Sequence, residues 1–274
     1  MSTYYTSKYS GEQIDEAVRK ILDGEMTGDY ADRQLSNLDT PQAALANLGA
    51  GVRPNLLDNA IFIGGGSQQG GGQLPVNQRG QTTGTIDWGY LIDRWKQFGA
   101  DWQLTPNGVK FSPKSEATYW SVLELLENGN ALSGKTLCAS VLVDGALFSG
   151  NGILPFSIPT FALERVDVTL SGSTLTYQYY GSKIERTIQA AKLELGSTQT
   201  LAYQDEDGNW QLLPQPESDY ATQLAKCQRY YQIYSTADAR PSKAADCRPV
   251  MRTDPAQGTI VVGDTTYYYN TAEL

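Results

Sequence analysis

From Asn55 onward, apolar side chains fall on every second residue, in short runs cut by Gly, Pro, Asn and Ser. Leu137, Ala139, Val141 and Val143 share one face of "KTLCASVLVDG", and Val166, Val168 and Leu170 share one face of "LERVDVTL". Leu175, Tyr177 and Tyr179 do so in "STLTYQYYG", as do Ala191, Leu193 and Leu195 in "TIQAAKLELG". Successive side chains on a strand point to opposite sides, so a period of two marks a strand with one buried face. The runs are separated by "TPNG", "DGAL", "GNG" and "LSGS", and this spacing predicts an all-β sandwich or barrel over residues 53–204. With 40% hydrophobic and 19% charged residues in 274, the chain can fill such a core.

The flanks read differently. Residues 205–274 form a predicted β-rich extension. "YQDEDGNWQLL" turns at Asp207-Gly208, and "SDYATQLAKCQRYYQIY" predicts a short helix capped by Asp219, with Tyr220, Leu224 and Cys227 inward. "GTIVVGDTTYYYN" predicts a hairpin turning at Gly263-Asp264. Residues 1–52 form a helical segment and linker. Ser10 and Gln13 make a capping box, Gly24 suits the far end, and Ile14, Val18, Ile21 and Leu22 form one apolar stripe. A helix this short is marginal alone in water, so the stripe calls for a partner, which we read as copies of the same chain. In "LSNLDTPQAALANLGA", Leu45 and Leu48 are further apolar residues with little core of their own.

Several kinds of chemistry are disfavoured. The run "GGGSQQGGGQLPVNQRG" (64–80) lacks the lysine and Ser/Thr that a phosphate-binding loop places at a helix start. It follows the strand-like "NLLDNAIFI" (55–63) and reads as a surface loop joining strands. With no histidine, the commonest general base and the usual zinc sites are missing. The net charge is −9 and the pI about 4.6, which repels nucleic acid and anionic membrane surfaces. The three cysteines, Cys138, Cys227 and Cys247, do not suggest a disulfide framework. No apolar N-terminal segment follows Met1, so folding in the cytoplasm is expected. No metal and no cofactor is expected; Asp205, Asp207 and Asn209 have alternate spacing but read as a plain turn.

Paired carboxylates are the catalytic device that the composition still allows. Asp87 with Asp93, or Asp205, Glu206 and Asp207, are the possibilities, and no spacing specifies a pair. Asp93 and Arg94, beside Trp95, read as a structural ion pair at a sandwich edge, and the expectation is a protein that is not an enzyme. Sugar binding needs aromatic platforms with polar neighbours. Trp88 and Tyr90, in a polar loop, and the adjacent Tyr119 and Trp120 are the glycan-binding candidates; Trp95 and Trp102 read as core.

An ordered set of stretches resembles bacteriophage and prophage tail-fibre, or receptor-binding, proteins. "YSGEQIDEAVRKIL" is similar to their helical opening and "LSNLDTPQAALANLGAG" to a linker of their shafts. "RPNLLDNAIF", "LPVNQRG" and "YLIDRW" resemble the entry to their jelly-roll module, which is like a carbohydrate-binding module. "AAKLELGSTQT", "YATQLAKCQRYYQIY" and "RPVMRTDP" resemble their closing stretch. The resemblance implies a parallel homotrimer in the virion tail, released by lysis. It would be mounted through its N-terminus on other tail or baseplate proteins and would adhere to bacterial surface polysaccharide, without membrane insertion. Ile14, Val18, Ile21, Leu45 and Leu48 then become trimer-interface candidates, together with Tyr267 and Tyr269 of the terminal hairpin. A structural tail adaptor and a glycan depolymerase are the rival readings.

Overall fold

A computed structural model describes residues 52–64, 74–114, 119–181, 183–205, 207–216, 219–262 and 264–273. The helical segment with Ile14, Val18 and Ile21, the module with Leu45 and Leu48, and most of the glycine run lie outside the described residues. The rest is mainly β, and every strand pairing is antiparallel.

Two six-stranded sheets carry the central region. The first runs in the order β1 (Thr83–Gly84), β4 (Ala100–Thr105), β5 (Gly108–Pro113), β12 (Arg186–Leu195), β7 (Leu137–Val143), β8 (Ala146–Gly152). The second runs β2 (Tyr90–Ile92), β3 (Trp95–Phe98), β6 (Tyr119–Leu125), β11 (Thr174–Tyr180), β10 (Arg165–Ser171), β9 (Phe156–Pro159). They share one apolar core. Leu137, Ala139, Val141, Val143, Ala191 and Leu193 enter it from the first sheet. Val166, Val168, Leu175, Tyr177 and Tyr179 enter it from the second, as the alternation predicts. Leu195 departs from the pattern: it ends β12 and is 50% exposed.

The first sheet is also covered on its other face. A hairpin, β13 (Ala202–Gln204) with β14 (Trp210–Leu212), packs Leu201 and Ala202 against Leu142 and Ala190. The same face carries Lys192 and Glu194, both fully buried and 3.7 Å apart. Lys192 Nζ donates to the Thr200 carbonyl and hydroxyl and to Gln215 Oε1. Glu194 accepts from the Thr200 N–H and hydroxyl. Burial lowers the Lys192 ammonium to about 8, with Glu194 pulling the other way. This lysine is held because its three protons have acceptors.

Asn55–Ile63 departs from expectation. It is an irregular strap with one bridge, Ile61 to Ala190, held to β12 by scattered backbone bonds and to its surroundings by its asparagine side chains. The Asn55 side chain bonds Leu57, Ala191 and Leu193, and that of Asn59 bonds Val76 and the Asp93 carbonyl. The remainder of the chain is helix α1 (Tyr220–Gln228) and a three-stranded sheet, β15 (Tyr231–Ser235), β17 (Thr265–Thr271), β16 (Ala256–Val262). Asp219 caps α1 through the Thr222 N–H, and its inward residues are Gln223 and Cys227, with Tyr220 and Leu224 only half-buried. Register pairing of Val262 with Thr265 leaves residues 263–264 as the hairpin connection.

Candidate functional site

Alternation separates Tyr119 from Trp120 on β6. Trp120 faces inward, 1% exposed, stacked between Phe111 at 4.5 Å and Tyr179 at 4.9 Å. It is a core residue and is removed from the glycan-binding candidates. Tyr119 faces outward, where β6 lies between β3 and β11. Its ring meets Phe98 of β3 at 5.9 Å and Tyr180 of β11 at 5.5 Å. Trp88 packs on Phe98 at 4.8 Å, and the Arg165 guanidinium covers Tyr180 at 4.5 Å. Trp88, Phe98, Tyr119 and Tyr180 therefore form one aromatic row across the outer face of the second sheet.

The Trp88 end is built rigidly. Trp88 has φ of +64°, a region that bulky side chains rarely enter. Its N–H donates to the Gln97 carbonyl at 2.7 Å, and Gln97 Nε2 donates to the Ile86 carbonyl. Asp87 accepts from the Gly99 N–H at 2.9 Å and from Lys114 Nζ at 2.8 Å, which also reaches the Thr85 carbonyl. The Lys114 ammonium and the Gly99 N–H hold the Asp87 carboxyl below its usual range. Gly99 has φ of +83°, and a Cβ there would lie 2.7 Å from the Tyr119 carbonyl, so only glycine allows this loop to approach β6. Trp88 stays 61% exposed and Ile86 76% exposed.

Polar groups flank the row. Arg165 Nε and the Ser157 hydroxyl donate to Asp167, and the Tyr180 hydroxyl donates to Gln178. Asp167 sits opposite Gln178 in register, and Arg165 opposite Tyr180. Aromatic faces beside amide, carboxylate and guanidinium groups suit a ligand with apolar C–H faces and many hydroxyls.

The other sequence candidates lie elsewhere. Tyr90 is half-buried beneath Arg79, 3.8 Å from its ring, where the second sheet meets the C-terminal sheet. It is not in the row, and burial raises its hydroxyl above the usual tyrosine range. Tyr269 stacks on Tyr231 at 5.4 Å within the same chain, its ring lying over Gly258. Tyr267 on the same strand is half-buried. Asp205 closes its own turn by accepting from Asn209 and Gln211. Phe98, Tyr180 and Arg165 are the row members that sequence reasoning missed. Alternation puts each outward, but nothing local brings β3, β6 and β11 side by side.

The Asp93–Arg94 pair expected from their adjacency does not form. Asp93 faces Arg79 at 3.5 Å and accepts from the Gln78 N–H. Arg94 reaches Glu273 at 3.2 Å, with Asp58 at 3.7 Å and Glu124 at 3.9 Å, and its guanidinium lies 3.5 Å from the Tyr230 ring. These groups form a buried charged joint between the sandwich and the C-terminal sheet. Burial raises the Asp93 carboxyl to about 6, against Arg79 and Gln78, which lower it. Burial and then Asp58 raise Glu124 well above the carboxylate range, while Arg94 pulls it down.

A pH dependence follows. Because the folded Asp93 binds its proton more tightly than the unfolded one, its contribution is greatest at low pH and is lost as pH rises through about 6. As pH falls from 7 to 5, the parent is expected to gain stability relative to Asp93→Asn, on the order of 1 kcal/mol per pH unit. Urea titrations of both proteins check this, and parallel curves would refute it.

No family model, no curated protein and no solved structure matches this chain in comparison, so its own side chains carry the functional argument.

Proposed function

We propose that this chain is a phage tail receptor-binding protein that adheres to bacterial surface glycan through the outer face of its second sheet. The carrying observation is the row of Trp88, Phe98, Tyr119 and Tyr180, four contacting rings on the outer face of the second sheet, exposed at the Trp88 end and half-buried beyond it. Its rings stand 4.8, 5.9 and 5.5 Å apart, near the strand spacing of about 4.8 Å, so a linear saccharide can stack on several in succession. The ordered motifs that resemble tail fibres support the jelly-roll assignment of the two sheets. They also support a parallel homotrimer mounted through the N-terminal segment, with Tyr267 near the seam. Three rows on one particle would raise avidity by orders of magnitude over one row.

The depolymerase reading is second. Asp58 and Glu127 line a common cleft, but both are engaged by basic side chains: Lys226 and Arg94 on Asp58, Arg229 and Arg252 on Glu127. The test is adsorption of the purified protein to bacterial cells. Trp88→Ala, Tyr119→Ala and Tyr180→Ala are each expected to weaken adsorption about tenfold, on about 0.5–1.5 kcal/mol for each aromatic contact beyond its buried area. Their circular dichroism should match the parent. Three folded variants that adsorb like the parent would refute the row as the glycan site. A single-chain mass by light scattering would remove the trimer.

A further inference from the structure

A second concave site lies at the joint, on the far side of the irregular strap. The strap residues Leu56 and Asp58, the turn after β6 (Leu126, Glu127, Asn128) with Leu132, and Arg94 with Tyr230 enclose a cleft of about 220 Å³. Its chemistry is mixed. Leu56, Leu126 and Leu132 make an apolar wall. Asp58 and Glu127 bring acceptors, and Asn128, which is exposed and makes no cap bond to the turn it precedes, brings both kinds of group.

Arg94 brings positive charge to the cleft wall but no accessible donor. Its side chain is 1% exposed, one terminal nitrogen donates to Glu273 and the other to the Leu125 carbonyl. Its Nε–H is buried without a hydrogen-bond partner, since Asp58 and Glu124 stand off at 3.7 and 3.9 Å. A buried donor left unbonded costs roughly 1–3 kcal/mol, and with no accessible surface this one stays beyond the reach of a ligand in the cleft.

Charge selects the ligand class. Two lining carboxylates oppose an anion, while Arg94, with Lys226, Arg229 and Arg252 behind the carboxylates, opposes a cation. A neutral ligand with several hydroxyls can donate to Asp58 and Glu127 and accept from the exposed Asn128 amide. The leucine wall suits the C–H face of a ring. The volume is below the ~300–1,000 Å³ usual for drug-sized ligands, which limits the occupant to one ring. We infer that this cleft binds a single neutral, polyhydroxylated ring, a terminal hexose or N-acetylhexosamine unit. This site does not depend on the aromatic row, and it deepens the glycan-adhesion reading by adding a pocket for a chain end.

The test is a titration of the full chain with a panel of methyl hexosides and methyl N-acetylhexosaminides, followed by saturation-transfer NMR. One member is expected to bind saturably at millimolar concentration. Leu132→Trp, which fills the cleft, should weaken binding at least tenfold, and Glu127→Gln and Asn128→Ala should each weaken it several-fold. If Leu132→Trp does not fold, the two polar variants decide the matter. No saturable binding across the panel, or binding unchanged in the folded cleft variants, overturns the inference. Trp88→Ala separates the sites: single-ring binding that vanishes with it alone belongs to the row, which overturns the cleft and leaves adhesion standing.

Discussion

Replacing Arg94 by alanine is expected to destabilise the protein by about 3–5 kcal/mol, the cost of removing one partner from a buried ionic group. Arg94 is nearly inaccessible and stands among Asp58, Glu124 and Glu273, with Tyr230 on its face. Without it, Glu124 would keep a buried carboxyl whose Oε2 already has no hydrogen-bond partner. Glu273 would keep Arg79, at 2.8 Å. The residue has φ of +75°, and alanine in the same place retains that strain, so the loss reads the network and not the backbone. Urea denaturation measures it. Because the arginine ties the second sheet to β15 and the C-terminal residues, Tyr230 and Glu273 should loosen first, seen as faster amide exchange in residues 229–235. A loss below about 1 kcal/mol would mean that the joint is held by its apolar contacts and strap hydrogen bonds instead.

Adjacent substitutions on β6 are expected to have opposite consequences. Trp120→Ala should cost about 3–5 kcal/mol, the usual penalty for emptying a buried aromatic site. Phe111 and Tyr179 stack on its two sides, one from each sheet, so the void would open between the sheets. Tyr119→Ala removes a half-buried ring from the outer face and should shift stability by less than about 1 kcal/mol while lowering cell adsorption. Thermal melts beside adsorption measurements separate the two. Equal stability losses would contradict the inward and outward assignment of these rings.

Much of the strand content was legible because alternation is a local property. Leu137, Ala139, Val141 and Val143 announce their buried face whatever surrounds them, and so do Leu175, Tyr177 and Tyr179. The Asp219 cap and the two-residue turn between β16 and β17 were legible for the same reason: a side chain or a tight turn acts within a few residues. The strap at 55–63 reads as a strand because it is a short apolar stretch rich in Leu and Ile, while Asn55 and Asn59 bond the neighbouring backbone with their side chains. Half of the candidate site was visible as well. Trp88 and Tyr119 stand among the four sequence candidates, with Tyr90 and Trp120 that lie off the row, but Phe98 and Tyr180 gain meaning only as their neighbours.

The sequence by itself determined many of the strands and which of their faces is apolar. The tertiary structure decided what covers the second face of each strand. Lys192 and Glu194 alternate as solvent-facing residues should, yet both are buried, bonded by Thr200 and Gln215 from either side of the β13–β14 hairpin. On the outer face of the second sheet the row is open at Trp88, 61% exposed, and half-buried at Phe98, Tyr119 and Tyr180. Asp93 and Arg94 are neighbours in the chain, yet each pairs with a residue far from it. The physical reason is that the two-residue period assigns a side to each residue from local geometry alone. Strand order, and whatever packs on the outer face, depend on contacts between segments scores of residues apart, which no local pattern encodes.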